Sequence, residues 1–216
     1  MPLGGICYWA ALYTSPLRIP PVGLREQKKL QTRAALLTEA NARFAAQGFE
    51  ATTIDELCDA VGISKRTFFR YFPGKEDLVF PNHEERLARF LEFLDLAPAG
   101  ERAFDTLRRA TQVFAYDYMS HRDRFIGQQK LIRTSATLMA REHEIDRAWE
   151  RAMAAWFVDR LGAGHPDPAL DARVMAGAAI GVIRATMRHW YDNEGAVDLE
   201  ALGRSALDRL ERGFMG

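Results

Sequence analysis

The chain has 216 residues, 48% of them hydrophobic, with 29 basic side chains against 29 acidic ones. That length and composition supply one sizeable core or two small ones and exclude a chain that stays disordered as a whole. A formal net charge of zero excludes polyanion binding over the whole surface, so any nucleic-acid role must sit in one segment.

Totals by segment do not reveal it. Residues 25–80 carry nine Lys/Arg and eight Asp/Glu, so placement must decide. Cys7 and Cys58 are too few for a disulfide framework, and a reducing cytoplasm is the expected setting. The apolar run 4–13 is too short to span a bilayer and lacks the basic start and small-residue cleavage site of a signal peptide, so no membrane partner is expected. Pro16, Pro20, Pro21 and Gly23 follow it, and residues 1–24 are expected to be a disordered extension.

From there on the pattern is helical, with no period-2 stretch long enough for a strand. Leu30, Ala34, Leu37, Asn41 and Phe44 mark one face of a first helix, which Gly48 stops. Thr53 precedes Glu56 by three residues, the spacing of a capping box. Ile54, Leu57, Cys58 and Val61 then give a short amphipathic helix that ends at Gly62. Ser64 caps a third helix running to about Phe72, where Pro73 and Gly74 break it. A fourth is expected near Lys75, interrupted at Pro81 and resuming through Leu87, Phe90 and Leu94. Further helices fall at roughly 101–120, 122–134, 136–162, 167–192 and 198–213. The fold class is therefore all-α.

The third of these helices lies in the stretch GISKRTFFRYFPGK, which gathers aromatics and cations in a neutral chain. On a helix Phe68 and Phe72 share one face, and Arg66 and Arg70 share another about 160° away. Such a helix buries two phenylalanines and presents two arginines. Only Gly62-Ile63-Ser64 joins it to the helix before, which makes the pair a helix-turn-helix unit. The second helix of that unit enters the major groove of DNA, where Arg reads guanine. Lys65, Tyr71 and Lys75 suit phosphate contacts, and Ser64 with neighbouring backbone amides adds donors.

Residues 33–79 resemble the DNA-binding domain of TetR-family transcriptional regulators. The matching pieces are Phe44, Gly48-Phe49, Thr52-Thr53-Ile54, Ala60-Val61-Gly62-Ile63-Ser64, Thr67, Tyr71-Phe72 and Lys75-Glu76-Asp77-Leu78. The resemblance implies a homodimeric repressor that binds a palindromic double-stranded operator and releases it when its C-terminal helices take up a small effector. It implies a helix-turn-helix domain at 25–78 and an effector and dimerisation domain at 79–216. By position Thr53, Tyr71 and Lys75 keep the family's phosphate roles. Arg66 stands where the family often has a small residue, which makes it the first choice for a base contact; Phe69 replaces a common Tyr and lacks its hydroxyl. The expected DNA-binding set is Thr53, Ser64, Lys65, Arg66, Thr67, Arg70, Tyr71 and Lys75.

The resemblance further implies that the last two helices pair across a two-fold axis, with Ala178, Gly181, Val182 and Ala185 meeting Leu202, Leu207, Leu210 and Phe214. Effector candidates on the middle helices are Phe114, Tyr118, Phe125, Arg133, Trp149, Met153, Trp156 and Arg184, an apolar set with a few charges. An arginine on an apolar helix needs an anionic partner or an exit to water, so an acidic or acyl-CoA-like effector is expected if these arginines line a pocket. The histidines show no metal spacing, and no cofactor is expected. Phosphate-loop and nucleophile-elbow motifs are missing, so the chain is not expected to be an enzyme. The alternatives are a regulator of the same fold controlled by a protein partner, and an all-α enzyme.

Overall fold

The computed structural model describes residues 23–98, 100–162 and 164–213. These form helices α1 (Leu24–Gln47), α2 (Ile54–Val61), α3 (Lys65–Tyr71), α4 (His83–Asp95), α5 (Ala103–Ser120), α6 (Arg122–Arg133), α7 (Ala136–Leu161), α8 (Pro168–Asp192) and α9 (Leu199–Arg212), with a 3₁₀ turn at Glu76–Leu78. The described residues contain no strand. Residues 1–22, where most of the expected extension falls, lie outside them; Leu24 already belongs to α1.

Local chemistry sets the boundaries. The Thr53 hydroxyl accepts from the Glu56 amide at 3.2 Å while the Glu56 carboxylate accepts from the Thr53 amide at 2.7 Å, a complete capping box on α2. Gly62 ends α2 at φ 71°, a left-handed conformation that favours glycine, and the Ile63 amide closes back on the Cys58 carbonyl at 2.9 Å. Ser64 caps α3 by accepting from the Thr67 amide at 3.1 Å. The residue before Pro73 is extended, and α3 stops there. The helix expected at Lys75 is only the 3₁₀ turn, and α4 begins after Pro81 and a left-handed Asn82, whose side chain accepts from Arg33 at 2.6 Å.

The face of α1 differs from expectation. Its buried side is Leu36, Ala40 and Phe44, while Leu30, Ala34 and Asn41 are exposed. Two apolar stripes of helical spacing share Phe44, and alanines sit on both, so periodicity does not separate them. The first core joins α1, α2 and α3 through Phe44, Phe49, Leu57, Phe68 and Phe72. It also takes in Ile132 of α6 and Leu138 of α7, so α1–α3 and the later helices share apolar side chains.

A second core lies among α4, α5, α7, α8 and α9. There α7 and α8 pack along each other, capped at their starts by Ser135 and Asp167. Helix α9 is tied to α5 by Arg108, which bonds Asp208 at 2.8 Å, Asp105 at 2.6 Å and Glu211. A third cluster, Ala115, Phe125, Trp190 and Leu199, closes the far end. There Gly195, at φ 69°, runs so close to Trp190 and Arg122 that a Cβ would sit 2.9 Å from both. Cys58 is a buried free thiol, and its acidity is weakened first by that burial.

Candidate DNA-reading surface and ligand cavity

Helix α3 is held by its two phenylalanines. Phe68 is fully buried and Phe72 nearly so, their ring centres 6.0 Å apart, with the Arg33 guanidinium over the Phe72 ring. This anchoring turns the opposite side of the helix to solvent. Arg66 and Arg70 are exposed there, Arg70 resting against the Tyr71 ring at 5.2 Å. Lys65 is exposed and pairs with Asp55 at 2.7 Å, and Ser64 and Thr53 are exposed beside it. Thr67 and Tyr71 are half-buried at the flanks. Phe69, which lacks a hydroxyl for phosphate, is 51% exposed and stands edge-on to Phe68.

Lys75 has a different role from the expected phosphate contact. Its ammonium donates to the carbonyls of Phe49 at 2.6 Å, Thr52 at 2.7 Å and Glu50 at 3.4 Å, and lies 4.2 Å from the Phe49 ring centre. Those carbonyls belong to the turn between α1 and α2, where the Phe49 carbonyl also accepts from the Thr52 amide at 3.3 Å. All three N–H groups of the lysine point inward, so Lys75 fixes the turn that aims α2.

A cavity of about 490 Å³ opens among α4 to α8, with Leu199, Gly203 and Leu207 of α9 at its wall. One part is aromatic. Phe90 lies 5.1 Å from Trp149 and 5.3 Å from Phe114, and Tyr118 lies 4.2 Å from Phe125. The other part is polar, with Glu142, His143 and Asp146 of α7, Gln128, Gln129 and Arg133 of α6, and Arg184, Arg188 and Tyr191 of α8. Arg133 bonds Asp192 at 2.7 Å and Arg184 stands 3.6 Å from Asp146; both arginines are 47% exposed. Thus each arginine has both a carboxylate partner and an exit to water. Burial pushes the carboxyls of Glu142 and Asp146 above their usual range; Asp146 adds to the effect on Glu142, and Arg184 opposes it on Asp146. The Tyr191 hydroxyl is pushed up by burial first and Tyr118 second.

Six of the eight expected effector residues line this space: Phe114, Tyr118, Phe125, Arg133, Trp149 and Arg184. Met153 and Trp156 do not. They continue the Trp149 stripe of α7 into the second core, where they are buried in one cluster with Ala172 and Ala176. Sequence reasoning missed Glu142 and Asp146, because charges on a helix read as solvated; their signal is a spacing of three or four from Met139, Ile145 and Trp149.

The cavity reaches the reader directly. Phe80 and Pro81, which follow the 3₁₀ turn, form part of its wall. Gln128 donates to the Val79 carbonyl at 2.6 Å. On the neighbouring side of α7, Arg141 holds the buried Asp77 at 2.8 Å, and Asp77 in turn accepts from the Gly74 amide at 2.9 Å, just past α3. Ser135 donates to Glu50 in the turn that Lys75 also holds.

The expected seam residues divide. Ala178, Gly181, Val182, Leu202 and Leu210 are half-buried and Ala185 is exposed, with open space around Gly181. Leu207 is 1% exposed inside the second core of its own chain, because α9 turns that face inward onto α5 and α8, so it is unavailable to a partner. Phe214 lies outside the described residues. Leu170 and Val174, not among the expected set, are 57% and 60% exposed on α8. No described helix is long and apolar enough to cross a membrane, and no described cluster of three or more His, Cys, Asp or Glu is placed to hold a metal ion.

Residues 36–80 match the family model of the bacterial regulatory proteins, tetR family, and residues 101–215 match the MftR C-terminal domain. Over 201 residues the chain is 30% identical to the HTH-type transcriptional regulator TcmR of Streptomyces glaucescens, covering 87% of this chain and 86% of that one. The chain belongs to the TetR family of transcriptional regulators. The fatty acid metabolism regulator protein of Bacillus subtilis is 23% identical, covering 79% of this chain and 89% of its own. Among solved structures, Bacillus subtilis FadR in complex with stearoyl-CoA superposes with a TM-score of 0.57 at 21% identity, over 82% of this chain and 96% of that one. Thermus thermophilus FadR in complex with lauroyl-CoA gives 0.57 at 21%, over 85% and 95%. These two show the TetR fold: a helix-turn-helix unit followed by a helical C-terminal region.

Proposed function

We propose that this TetR-family regulator is a repressor that binds a palindromic operator as a homodimer and leaves it when a small, largely apolar ligand fills the cavity. The carrying observation is the shared wall: Phe80 and Pro81, in the chain that leads out of the helix-turn-helix unit, border the cavity, and Gln128 in the same wall bonds the Val79 carbonyl beside them. A ligand that moves α6 pulls on Val79, and through the turn beyond it on α3. Residues 25–78 would read the DNA, with Thr53, Ser64, Lys65, Arg66, Thr67, Arg70 and Tyr71 at the groove, and 79–216 would hold effector and partner. The exposed Leu170, Val174 and Ala185 on α8, with the half-buried Gly181 between them, support pairing of two copies there.

An acidic or acyl-CoA-like effector fits the half-exposed arginines at the rim, and two FadR proteins of this fold are described in complex with acyl-CoA. A regulator answering to a protein partner would need no internal space, and the cavity favours the small ligand. The test is fluorescence anisotropy of a bound operator duplex titrated with lauroyl-CoA, stearoyl-CoA and apolar compounds without an acid. Loss of DNA binding with at least one of them is expected. Ligands that bind the cavity, as shown by protection on melting, yet leave the operator bound would overturn ligand-released repression.

A further inference from the structure

The charges around the cavity are unequal in their surroundings. Arg133 and Arg184 each have a carboxylate partner and stand half in water at the rim. Arg86 is laid over the Tyr118 and Phe125 rings at 4.9 and 5.3 Å. Glu142 is set differently. It is half-buried in the wall, one turn before Asp146 on α7, and Gln129 of α6 lines the same wall. Among the described residues no Lys, Arg or His forms an ion pair with it within 4 Å, and burial together with the Asp146 charge makes its ionised form costly, which His143 and the Arg133 charge offset only in part.

Such a group gains most from a donor brought in by the ligand. A hydroxyl or an ammonium seated there would make a charge-assisted hydrogen bond. A ligand carboxylate in the same place would face two like charges. We infer that the effector carries a hydrogen-bond donor on an apolar body, and that Glu142 is its acceptor while the aromatic wall of Phe90, Phe114 and Trp149 takes the body. An acid group is then admitted only at the arginine rim. This rests on the cavity being the effector site.

The test uses the full chain, isothermal titration at neutral pH, and three decyl probes below their micelle-forming concentrations: 1-decylamine, 1-decanol and decanoate. The amine or the alcohol, or both, should bind about tenfold or more tightly than decanoate, the gain of one hydrogen bond to a charged acceptor. An advantage for the amine alone assigns a cationic donor, and an advantage for the alcohol assigns a neutral one. Glu142→Gln should shrink the leading probe's advantage to about threefold or less. Decanoate binding as tightly as the other two in the unsubstituted protein would overturn the inference whether or not the variant folds. An unchanged order in a folded Glu142→Gln protein would overturn it as well. If none of the three binds, the cavity itself is not a ligand site, which is a separate failure from a preference for decanoate.

Discussion

The ammonium of Lys75 donates to three carbonyls in the turn before α2, so its loss should be felt first in stability. Lys75→Ala should cost about 2 kcal/mol, the value of hydrogen bonds from a charged group, in a urea melt. The salt dependence of DNA binding should keep its slope, since no phosphate contact is lost. Arg66 should behave in the opposite way. It is exposed on α3 with no carboxylate partner among the described residues, and its planar fork suits one guanine. Arg66→Ala should cost about 1–3 kcal/mol of discrimination at one operator position per half-site and leave stability unchanged, as profiled on a randomised duplex library. The two cations look alike in sequence, both near one aromatic helix. Their difference lies in the carbonyls of a turn 23 to 26 residues away, which no local pattern announces. Glu142 makes a third case. Its folded carboxyl holds a proton more tightly than the unfolded one, so the folded state loses stability as pH rises from the unfolded value through the folded one. Above that window the penalty is constant. Glu142→Gln should therefore raise the melting temperature at neutral pH, and the gain should vanish as pH falls below the ordinary carboxylate range.

Helix ends were the most legible elements, because their causes are local. Thr53 with Glu56, Gly62, Ser64 and Pro73 each act within four residues, and the structure shows the capping bonds they imply. The buried side of α1 was not legible, since alanines at 34, 35 and 40 carry no directional signal. The cavity was legible in its aromatics and not in its acids. Trp149, Met153 and Trp156 form one stripe, and only the packing around it decides that the first faces space and the others do not. Between elements, the link that matters is Gln128 of α6 on the Val79 carbonyl. Gln128→Met keeps the bulk and removes the bond. A cavity ligand should then bind within about threefold of its former affinity, while its power to displace DNA falls, because coupling of about 1–3 kcal/mol is carried by such links. Titration calorimetry for the first quantity and anisotropy for the second separate them.

At the scale of the whole molecule, a neutral chain gathers Lys65, Arg66, Arg70 and the exposed Phe69 on one short helix, α3. The reader shares a core with α6 and α7, and those same helices wall the cavity. The proposed pairing of two copies through α8 would present two α3 helices to one duplex. A dimer of that kind reads half-sites about one helical turn, or a multiple, apart. The most direct measurement is selection of random duplex DNA by the full chain, followed by sequencing of the bound fraction. The account predicts an enriched palindrome with a guanine at one position of each half-site whose enrichment disappears with Arg66→Ala. Enrichment of a single, asymmetric site, or none above the starting library at low salt, would contradict it.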